Sequence, residues 1–346
     1  MRIKKVFIVL ISLALSVILV ACGETPSSTT DEQANNSESS DTSNSVTKDD
    51  DWPRGITIAT SSAGGFYYAY GGAWANILDF IPISPESSAG GVDNVKLVEA
   101  GNVEVGIASD GILYDGLHGI DWAEGQEYSN VRAMFPMSPG YFQIVAKSGS
   151  GIESIHDLEG RRFVTGAAGT GSDTYLRRLL DHFDIKADII NINYGDAVGQ
   201  LNDGMIDAFG VAPTGVPHPA TSEFMATNDA VIIGVSEEDL SSLQEVYPYM
   251  QSGYIPAGTY DGIDEDVHTI TMWNIYLAHK ELPDSLVYAL VEETYKNYDR
   301  LATNAPSAEE TLPENIKYLT VPLHSGAAQY FEENGYEIPE QAKPID

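Results

Sequence analysis

Cysteine is almost absent from this sequence, since Cys22 is the single one among 346 residues. A lone cysteine forms no intramolecular disulfide, and the rest of the chain lacks a thiol nucleophile and a cysteine-rich metal site. Its position is informative, because the basic residues Arg2, Lys4 and Lys5 precede an apolar run over 6–20, which ends just before Cys22. Such a run is short for a membrane span and is typical of a secretory signal peptide.

The segment Leu19-Val20-Ala21-Cys22-Gly23 resembles the bacterial lipobox. The resemblance implies removal of a signal peptide over 1–21 and diacylation of Cys22, with palmitate as one of the acyl chains. An ordinary signal peptide with an incidental cysteine and an uncleaved anchor are the alternatives. The lipobox accounts both for the position of Cys22 and for the lack of other cysteines. We therefore expect a chain that is lipid-anchored on the extracytoplasmic face of the cell membrane.

Large apolar side chains are missing from residues 24–51, where Val46 is the one large aliphatic and no aromatic residue occurs. Such a segment buries too little apolar surface to offset the entropy of ordering it, so the range 22–52 is predicted to be a disordered tether. A flexible chain of this length spans roughly 30 Å. A long tether behind a lipid anchor favours the exterior of a Gram-positive cell.

Positive charge is also scarce. The chain has 18 Lys and Arg against 51 Asp and Glu, a formal net charge of −33, and loss of the three basic and no acidic residues of 1–21 would make it −36. Nucleic acid and anionic lipid both require clustered basic residues, so neither is expected as a direct partner of the folded part. An anionic ligand remains compatible with this charge if backbone N–H groups bind it locally.

Signatures of catalysis and metal binding are missing as well. The seven histidines show no HExxH spacing, and no GxSxG segment occurs. Asp261, Asp264, Glu265 and Asp266 lack the glycine and final glutamate of an EF-hand, which favours a solvated acidic turn over a calcium site. We therefore predict no catalytic residue, metal or cofactor, although a Ser/His/Asp set assembled from distant positions stays open. His324, in a Pro-Leu-His-Ser-Gly turn, is interpreted as a structural hydrogen-bonding residue.

From Trp52 onward the composition is that of a globular protein of two lobes, in which short β-branched runs alternate with helical stretches. This alternation predicts α/β layers with largely parallel sheets. Helices are expected from about Phe66 and over 174–183. Pro136 and Pro139 are expected to separate two strands. The predicted strands are 55–60, 103–108, 131–135, 141–146, 162–166 and 208–211.

Two glycine-containing turns lie between a predicted strand and a predicted helix, at 61–68 and at 166–173. Each would present backbone N–H groups at a helix N-terminus, where the helix dipole favours a carboxylate or phosphate. The second turn loosely resembles a dinucleotide fingerprint, but its spacing is GxxGxG. Alternatively, the glycines only turn the chain and Ser172 or Asp173 caps the helix. Two such turns in regions suited to opposite lobes favour a shared ligand cleft.

Several segments together resemble the TAXI family of TRAP-transporter solute receptors. The match runs in order along the globular part and includes Gly106-Ile107-Ala108-Ser109-Asp110 and Gly204-Met205-Ile206-Asp207-Ala208-Phe209. Gly91 and Asp93 depart from it, because Ser and Glu are usual there, and so does the segment after Ala208. The remaining matching segments are Thr60–Tyr68, Ser88–Leu97, Gly149–Arg162, Gly169–Ser172, Ile255–Tyr260 and Val321–Tyr330.

The resemblance implies an α/β, two-lobed periplasmic-binding-protein-like fold of type II, with two hinge-crossing strands and a ligand cleft between the lobes. Lobe 1 would comprise 53–140 and 263–346, and lobe 2 would comprise 141–262. The implied function is capture of a small carboxylate or an amino acid such as glutamate, without chemistry, for delivery to a TRAP-type membrane permease. The implied ligand-binding residues are Gly64, Gly65, Tyr67, Ser88, Asn94, Asp110, Thr170, Gly171, Ser172, Thr214 and Val216.

Two other functions fit the same fold: an extracytoplasmic ligand sensor without a permease, and an enzyme on a scaffold related to pyrimidine-synthesis proteins. Arg132 is a possible carboxylate clamp, since arginine is the usual partner of a bound carboxylate. Its place within a predicted lobe-one strand disfavours that role. Of the aromatic residues near the first turn, Tyr67 is the best candidate to face the cleft, and most of the others are expected in the core.

Overall fold

The computed structural model describes residues 48–61, 66–168 and 170–345. The predicted signal peptide, Cys22, most of the tether, Gly64 and Gly65 lie outside these residues. Within the described part, no helix has both the length and the apolar character needed to cross a membrane.

Strands and helices alternate along most of the described chain. The strands are β1 Ile56–Ala59, β2 Ile83–Glu86, β3 Val105–Ser109, β4 Val131–Lys147, β5 Arg162–Val164, β6 Asp188–Ile190, β7 Ala208–Thr214, β8 Ala230–Ile233, β9 Gln251–Ile255 and β10 Val267–His279. The α-helices are α1 Phe66–Ala75, α2 Gly91–Glu99, α3 Asp110–His118, α4 Gly171–His182, α5 Tyr194–Asn202, α6 Pro219–Met225, α7 Glu237–Val246, α8 Asp284–Lys296, α9 Tyr298–Asn304 and α10 Ser325–Glu333.

The strands form a mixed sheet with the order β2-β1-β3-β10-β4-β7-β5-β6, and β8 and β9 pair with β4 and β10. Parallel pairing is found at its two ends, within β2-β1-β3 and within β7-β5-β6. The two long strands β4 and β10 pair antiparallel in the middle, where their partners β3 and β7 are also antiparallel to them. The expectation of largely parallel sheets therefore holds for the ends and fails for the centre.

Strand β4 differs from its prediction, because it continues through Pro136 and Pro139 as one strand. Proline lacks the N–H that a central ladder position requires. Register shifts between β4 and β10 lie at this stretch, where Ile275 pairs with Pro136 and Trp273 with Pro139. The pairing with β7 starts only beyond it, at Tyr141, and the pairing with β8 starts at Ile144. The prolines therefore lie in an irregular part of β4 that has β10 as its one neighbouring strand among the described residues, and β4 continues through them.

Buried apolar side chains of the described residues form three core clusters. One packs α1, α2, α8 and α10 against β1, β3 and the first half of β4, with Trp74, Phe135 and Tyr276 at its centre. The second packs α4 and α7 against the sheet and includes Phe163, and the third packs α5 and α6 around Phe209. The division into lobes at 140/141 and 262/263 stays a prediction.

His324 is buried at the start of α10. Its Nδ1 accepts a hydrogen bond from the backbone N–H of Gly326 at 3.2 Å, and its own N–H donates to the carbonyl of Ala133. The residue thus caps α10 with its ring and bonds to β4 with its backbone N–H, as expected for a structural histidine.

Candidate functional site

A cavity of about 590 Å³ lies where the carboxyl ends of the two parallel strand groups meet. In open α/β sheets this edge is where ligands bind, because loops leave the strands there and helices begin. Helices α2 and α3 follow β2 and β3, while α4 and α5 follow β5 and β6. Residues from all of these connections line the cavity, together with the end of β7. We refer to this cavity as the cleft.

Among the described residues, the N-terminal turns of α2, α3, α4 and α5 line the cleft, and Tyr67 from the first turn of α1 lines it as well. The first N–H groups of a helix have no acceptor within it, and the helix dipole makes this end favourable for an anion. Side chains cap three of them, since Ser109, Thr170 and Asn193 each accept a backbone N–H of their helix. Helix α2 has no side-chain cap. Its N-cap, Gly90, has φ 109°, a conformation that favours glycine.

Backbone N–H groups at these helix ends are the anion-binding groups that the cleft offers. Among the described lining residues there is no lysine or arginine. The lining residues of α2 and α4 that carry the available N–H groups include Gly91, Val92, Gly171 and Ser172. An anion bound here would meet main-chain donors from both halves of the sheet.

Ser172 is held in place at the start of α4. Its Oγ accepts from the backbone N–H of Ala212 at 3.1 Å and is 2.7 Å from the hydroxyl of Tyr194, which also lies 3.1 Å from the carbonyl of Gly210. Burial raises the pKa of Tyr194 to about 12, so this phenol stays protonated. These hydrogen bonds, from Ala212 to Ser172 and from Tyr194 to Ser172, hold two neutral hydroxyl groups at the cleft wall.

Tyr67 lies on the opposite wall and donates a hydrogen bond to Oδ1 of Asn274 on β10 at 2.7 Å. Burial, with a smaller contribution from the nearby Asp110, raises the pKa of Tyr67. Asp110 itself is fully buried behind the cleft. Its carboxyl accepts from Thr320 and from the N–H of Gly111, and burial raises its pKa to about 8.

A buried ion pair flanks the cleft. Arg178 of α4 contacts Oδ2 of Asp115 on α3 at 2.9 Å and also bonds to Asp121 and to the hydroxyl of Tyr249. The side chains of Arg178 and Asp115 are 6% and 1% exposed. Burial raises the pKa of Asp115 to about 6 against the opposing effect of Arg178. The pair joins α4, which packs in the second core cluster, to α3, which follows β3 of the first cluster.

His218 lines the cleft beyond β7 and packs edge-on against Tyr194. Burial lowers its pKa, which favours the neutral ring. Its buried Nδ1 has no hydrogen-bond partner within the described residues.

The structure brings five of the predicted ligand-binding residues to the cleft, namely Tyr67, Thr170, Gly171, Ser172 and Thr214. Asn94 does not line it, because its side-chain amide is buried and donates to the carbonyls of Thr60 and Ile107 at 2.6 Å. Ser88 bonds to Asn94 and to the carbonyl of Thr60 in the same turn. Ligand contact by any of these residues stays a prediction.

Three other candidates lie elsewhere. Asp110 is buried behind the cleft wall, Val216 lines a separate surface cavity, and Arg132 lines a third cavity. Gly64 and Gly65 fall outside the described residues. Gly91, a departure from the resemblance, does line the cleft, and a Cβ there would lie 2.7 Å from Cδ1 of Ile112.

Sequence reasoning missed Asp115, Tyr175, Tyr194 and His218, which also line the cleft. One signal for Tyr194 was available. The segment Asn191-Ile192-Asn193 follows a β-branched run and supplies an N-cap asparagine, which indicates a third strand-to-helix connection at the same sheet edge. The other three depend on tertiary packing.

The chain is similar to known proteins both in sequence and in fold. Residues 58–335 match the model of the NMT1-like family. Among solved structures, the chain is similar to a TctC solute binding protein from Polaromonas, at 15% identity over 72% of this chain and 85% of that one, with a TM-score of 0.50.

Two further structures are similar at lower TM-scores. The periplasmic aliphatic sulphonate binding protein SsuA from Escherichia coli matches at 15% identity over 84% of this chain and 90% of that one, with a TM-score of 0.45. The GluR0 ligand-binding core from Nostoc punctiforme, in complex with L-glutamate, matches at 16% identity over 73% and 98%, with a TM-score of 0.42.

The mixed sheet with its cleft, together with the similarity to the Polaromonas protein, confirms the predicted α/β, two-lobed periplasmic-binding-protein-like fold. The finer assignment to the TAXI family stays a prediction. Since the family model covers residues 58–335 of 346, the chain belongs to the NMT1-like family.

Proposed function

We propose that this protein is a solute-binding protein that captures a small carboxylate in the cleft and releases it unchanged. The observation that carries the proposal is the approach of helix N-termini from both halves of the sheet to one cavity of about 590 Å³. Cavities of roughly 300–1,000 Å³ are typical of small-molecule sites. A carboxylate is the favoured ligand, because backbone N–H groups at helix N-termini bind anions. They do so here without help from a lysine or arginine among the described lining residues.

In this mechanism the carboxylate is bound by the first N–H groups of α2 and α4, and the hydroxyls of Thr170, Ser172 and Tyr67 orient the rest of the solute. The ligand contacts both walls only when the lobes are closed, so binding shifts the population toward the closed state. A net charge of −33 does not prevent this, since the N–H groups act at short range.

The hydrogen bonds of the cleft favour binding over catalysis. Activation of a serine or threonine nucleophile requires a base within hydrogen-bond reach. Within the described residues, no serine or threonine of the cleft is hydrogen-bonded to a histidine, and Ser172 bonds to Tyr194 and Ala212 instead. The similarity to the TctC solute binding protein from Polaromonas supports that interpretation.

The finer proposal follows the resemblance to TAXI receptors. The solute would be a dicarboxylate or an amino acid such as glutamate, and the partner would be a TRAP-type integral permease. Diacylation of Cys22 would hold the receptor near that permease on the cell surface. Cys22→Ala should then move the protein from the membrane fraction to the soluble fraction after cell lysis. An unchanged distribution of the variant would contradict the lipid anchor.

A thermal-shift series tests the ligand class. The purified chain would be heated with glutamate, succinate and gluconate, each matched to a neutral amide or sugar of similar size. A ligand at one hundred times its Kd adds about 2.7 kcal/mol to the free energy of unfolding, so carboxylates should raise Tm by several degrees. NMR of the recovered solute should show no product. Stabilisation by neutral sugars alone would contradict the carboxylate class, and turnover would contradict the binding function.

A further inference from the structure

A second cavity, of about 480 Å³, lies away from the cleft at the start of β4. Helix α3 contributes to both cavities from its two ends. Ser109, its N-cap, and Ile112 line the cleft, while Leu117 and His118 in its last turn line the second cavity. The remaining wall comes from the segments around Lys280 and Val321 and from Ile345. We refer to this space as the α3 C-terminal cavity.

Arg132 lines this cavity and is 3% exposed. Its guanidinium donates three hydrogen bonds, to the carbonyls of Ser129 at 2.9 Å, Val131 at 3.0 Å and Ile345 at 3.2 Å. A guanidinium has five N–H donors. Two of them therefore lack an acceptor among residues 48–61, 66–168 and 170–345.

Among the described residues, no carboxylate forms an ion pair with Arg132, although the other buried arginine, Arg178, has such partners. Arg178, buried to a similar extent, contacts Asp115 and Asp121. Glu99 is near enough to act on the pKa of Arg132, but its two oxygens accept from the N–H and side-chain amide of Asn130. A buried cation solvated only by neutral carbonyls is unfavourable, and a bound anion would relieve that cost.

The other charged groups of the cavity strengthen this interpretation. Lys280 and His118 line it beside Arg132, against a single acidic residue among the described lining, Glu127. His118 is oriented by Tyr114, whose carbonyl lies 2.8 Å from Nδ1 and whose ring lies 4.1 Å from the imidazole. In a chain with 18 basic residues against 51 acidic ones, two basic side chains and a histidine around one cavity are unusual.

The rest of the wall is largely apolar, with Leu117, Val321 and Pro322 facing the same space. A bare inorganic anion would leave this surface without a partner. An organic anion would place its carboxylate on the open donors of Arg132 and its hydrocarbon part against the apolar wall.

We propose that the α3 C-terminal cavity is a second binding site, which takes a small carboxylate with an apolar body, such as a short fatty acid. Arg132 binds the carboxylate and Lys280 adds to the positive field. The site is separate from the proposed cleft site, because the two cavities share no lining residue among the described residues. Its ligand is a carboxylate with an apolar body, whereas the cleft is proposed to take polar solutes such as glutamate.

Calorimetric titration of the full chain with hexanoate, compared with hexanamide, tests this proposal. Hexanoate should bind with one site per chain, and hexanamide should bind at least about tenfold more weakly, since a charge-assisted hydrogen bond contributes about 1.5–3 kcal/mol. Absence of hexanoate binding, or equal binding of the amide, would overturn the proposal.

Variants locate the site. Lys280→Met, at an exposed position, should fold normally and weaken hexanoate binding several-fold, and Arg132→Gln should weaken it further. Thr170→Ala in the cleft serves as the matched control and should leave hexanoate binding unchanged. If hexanoate binding is lost in Thr170→Ala and kept in Lys280→Met, the ligand occupies the cleft and the second site does not exist. This result would leave the proposed cleft function intact.

Discussion

At the scale of single residues, Asp110 is a carboxyl group held in the interior. Thr320 donates to one of its oxygens at 3.0 Å and the N–H of Gly111 donates to the other at 2.8 Å. These bonds favour the ionised form, yet burial outweighs them and raises the pKa to about 8. The charge of Asp110 contributes to the raised pKa of Tyr67, which lines the cleft. The protonation of Asp110 is therefore linked to the stability of the cleft wall.

The linkage has a defined sign. Because the pKa of Asp110 is higher in the folded chain than its usual value of 3.8, the folded state binds the proton more tightly. Its stabilising contribution is complete below about pH 4 and is lost as pH rises through about 8. Asp110→Asn keeps the size and an acceptor for Gly111 but removes the titration. We expect the free energy of unfolding of wild type, relative to the variant, to decrease by several kcal/mol between pH 5 and pH 9.

Denaturant unfolding at a series of pH values measures this difference. Asp79→Asn, at an exposed position in a surface ion pair with Arg300, is the matched control and should run parallel to wild type. Parallel curves for wild type and Asp110→Asn would contradict the raised pKa.

Sequence reasoning brought residues to the cleft where local chemistry decides their position, while ligand contact by them stays a prediction. Thr170 and Ser172 follow a strand and a glycine turn, and backbone geometry alone brings them to the cleft. Asn94, also predicted to bind ligand, does not line the cleft in this structure, because its amide donates to the backbone carbonyls of Thr60 and Ile107. Asp115 was missed, because its ion pair at the cleft is with Arg178, which is 63 residues away in the chain. Sequence spacing carries no information on such a pairing.

At the scale of elements, helix α4 combines a stability role with a site role at its first turn. Thr170 caps the helix by accepting from the N–H of Asp173, and it also lines the cleft. Ser236 caps α7 in the same way, by accepting from the N–H of Asp239 at 3.0 Å, and it is not among the residues lining the cleft. The two caps are therefore matched in chemistry and differ in position.

Thr170→Ala and Ser236→Ala should each lower the free energy of unfolding by about 0.5–2 kcal/mol, the usual loss for a removed cap. The affinity for the carboxylate should fall only in Thr170→Ala, by about tenfold, because that hydroxyl contacts the solute in the proposed mechanism. Unfolding curves and calorimetric titration with the best ligand of the thermal-shift series give both quantities. Equal affinities of the two variants would remove Thr170 from the site.

Element boundaries show where pattern reading fails. The strands around Ile58, Ile107 and Phe163 and the helix of residues 171–182 were predicted close to their observed bounds, since each has a strong local pattern and a clear turn. The two halves of β4 were predicted as separate strands because proline normally interrupts a ladder. Their continuity depends on the irregular pairing with β10, more than 120 residues away, and no local signal reports that pairing.

At the scale of the whole molecule, the ion pair of Arg178 connects α4 to α3, whose neighbouring strands are joined in the described sheet through β4 and β10. Arg178 packs against the rings of Tyr175, Tyr247 and Tyr249. It also contacts Asp115 of α3 and Asp121, which follows α3. The hydroxyls of Ser109 and Tyr175 lie 3.2 Å apart in the same region. These contacts should stabilise the closed arrangement of the cleft even before ligand binds.

Arg178→Met should therefore have two effects. Removal of one member of a buried pair leaves Asp115 without its partner, which lowers the free energy of unfolding by about 3–5 kcal/mol. The ligand-free molecule should also open, so that its radius of gyration in small-angle X-ray scattering exceeds that of wild type, and the solute should bind more weakly.

Arg178→Met combined with Asp115→Leu removes the unpaired charge, so it should recover much of the stability while staying open. Arg300→Met, which removes the exposed pair with Asp79 and two exposed hydrogen bonds to Asn297 and to the carbonyl of Asn76, should change the radius of gyration not at all and the stability little. A double variant that regains both stability and the wild-type radius of gyration would show that the pair contributes to folding without holding the cleft closed.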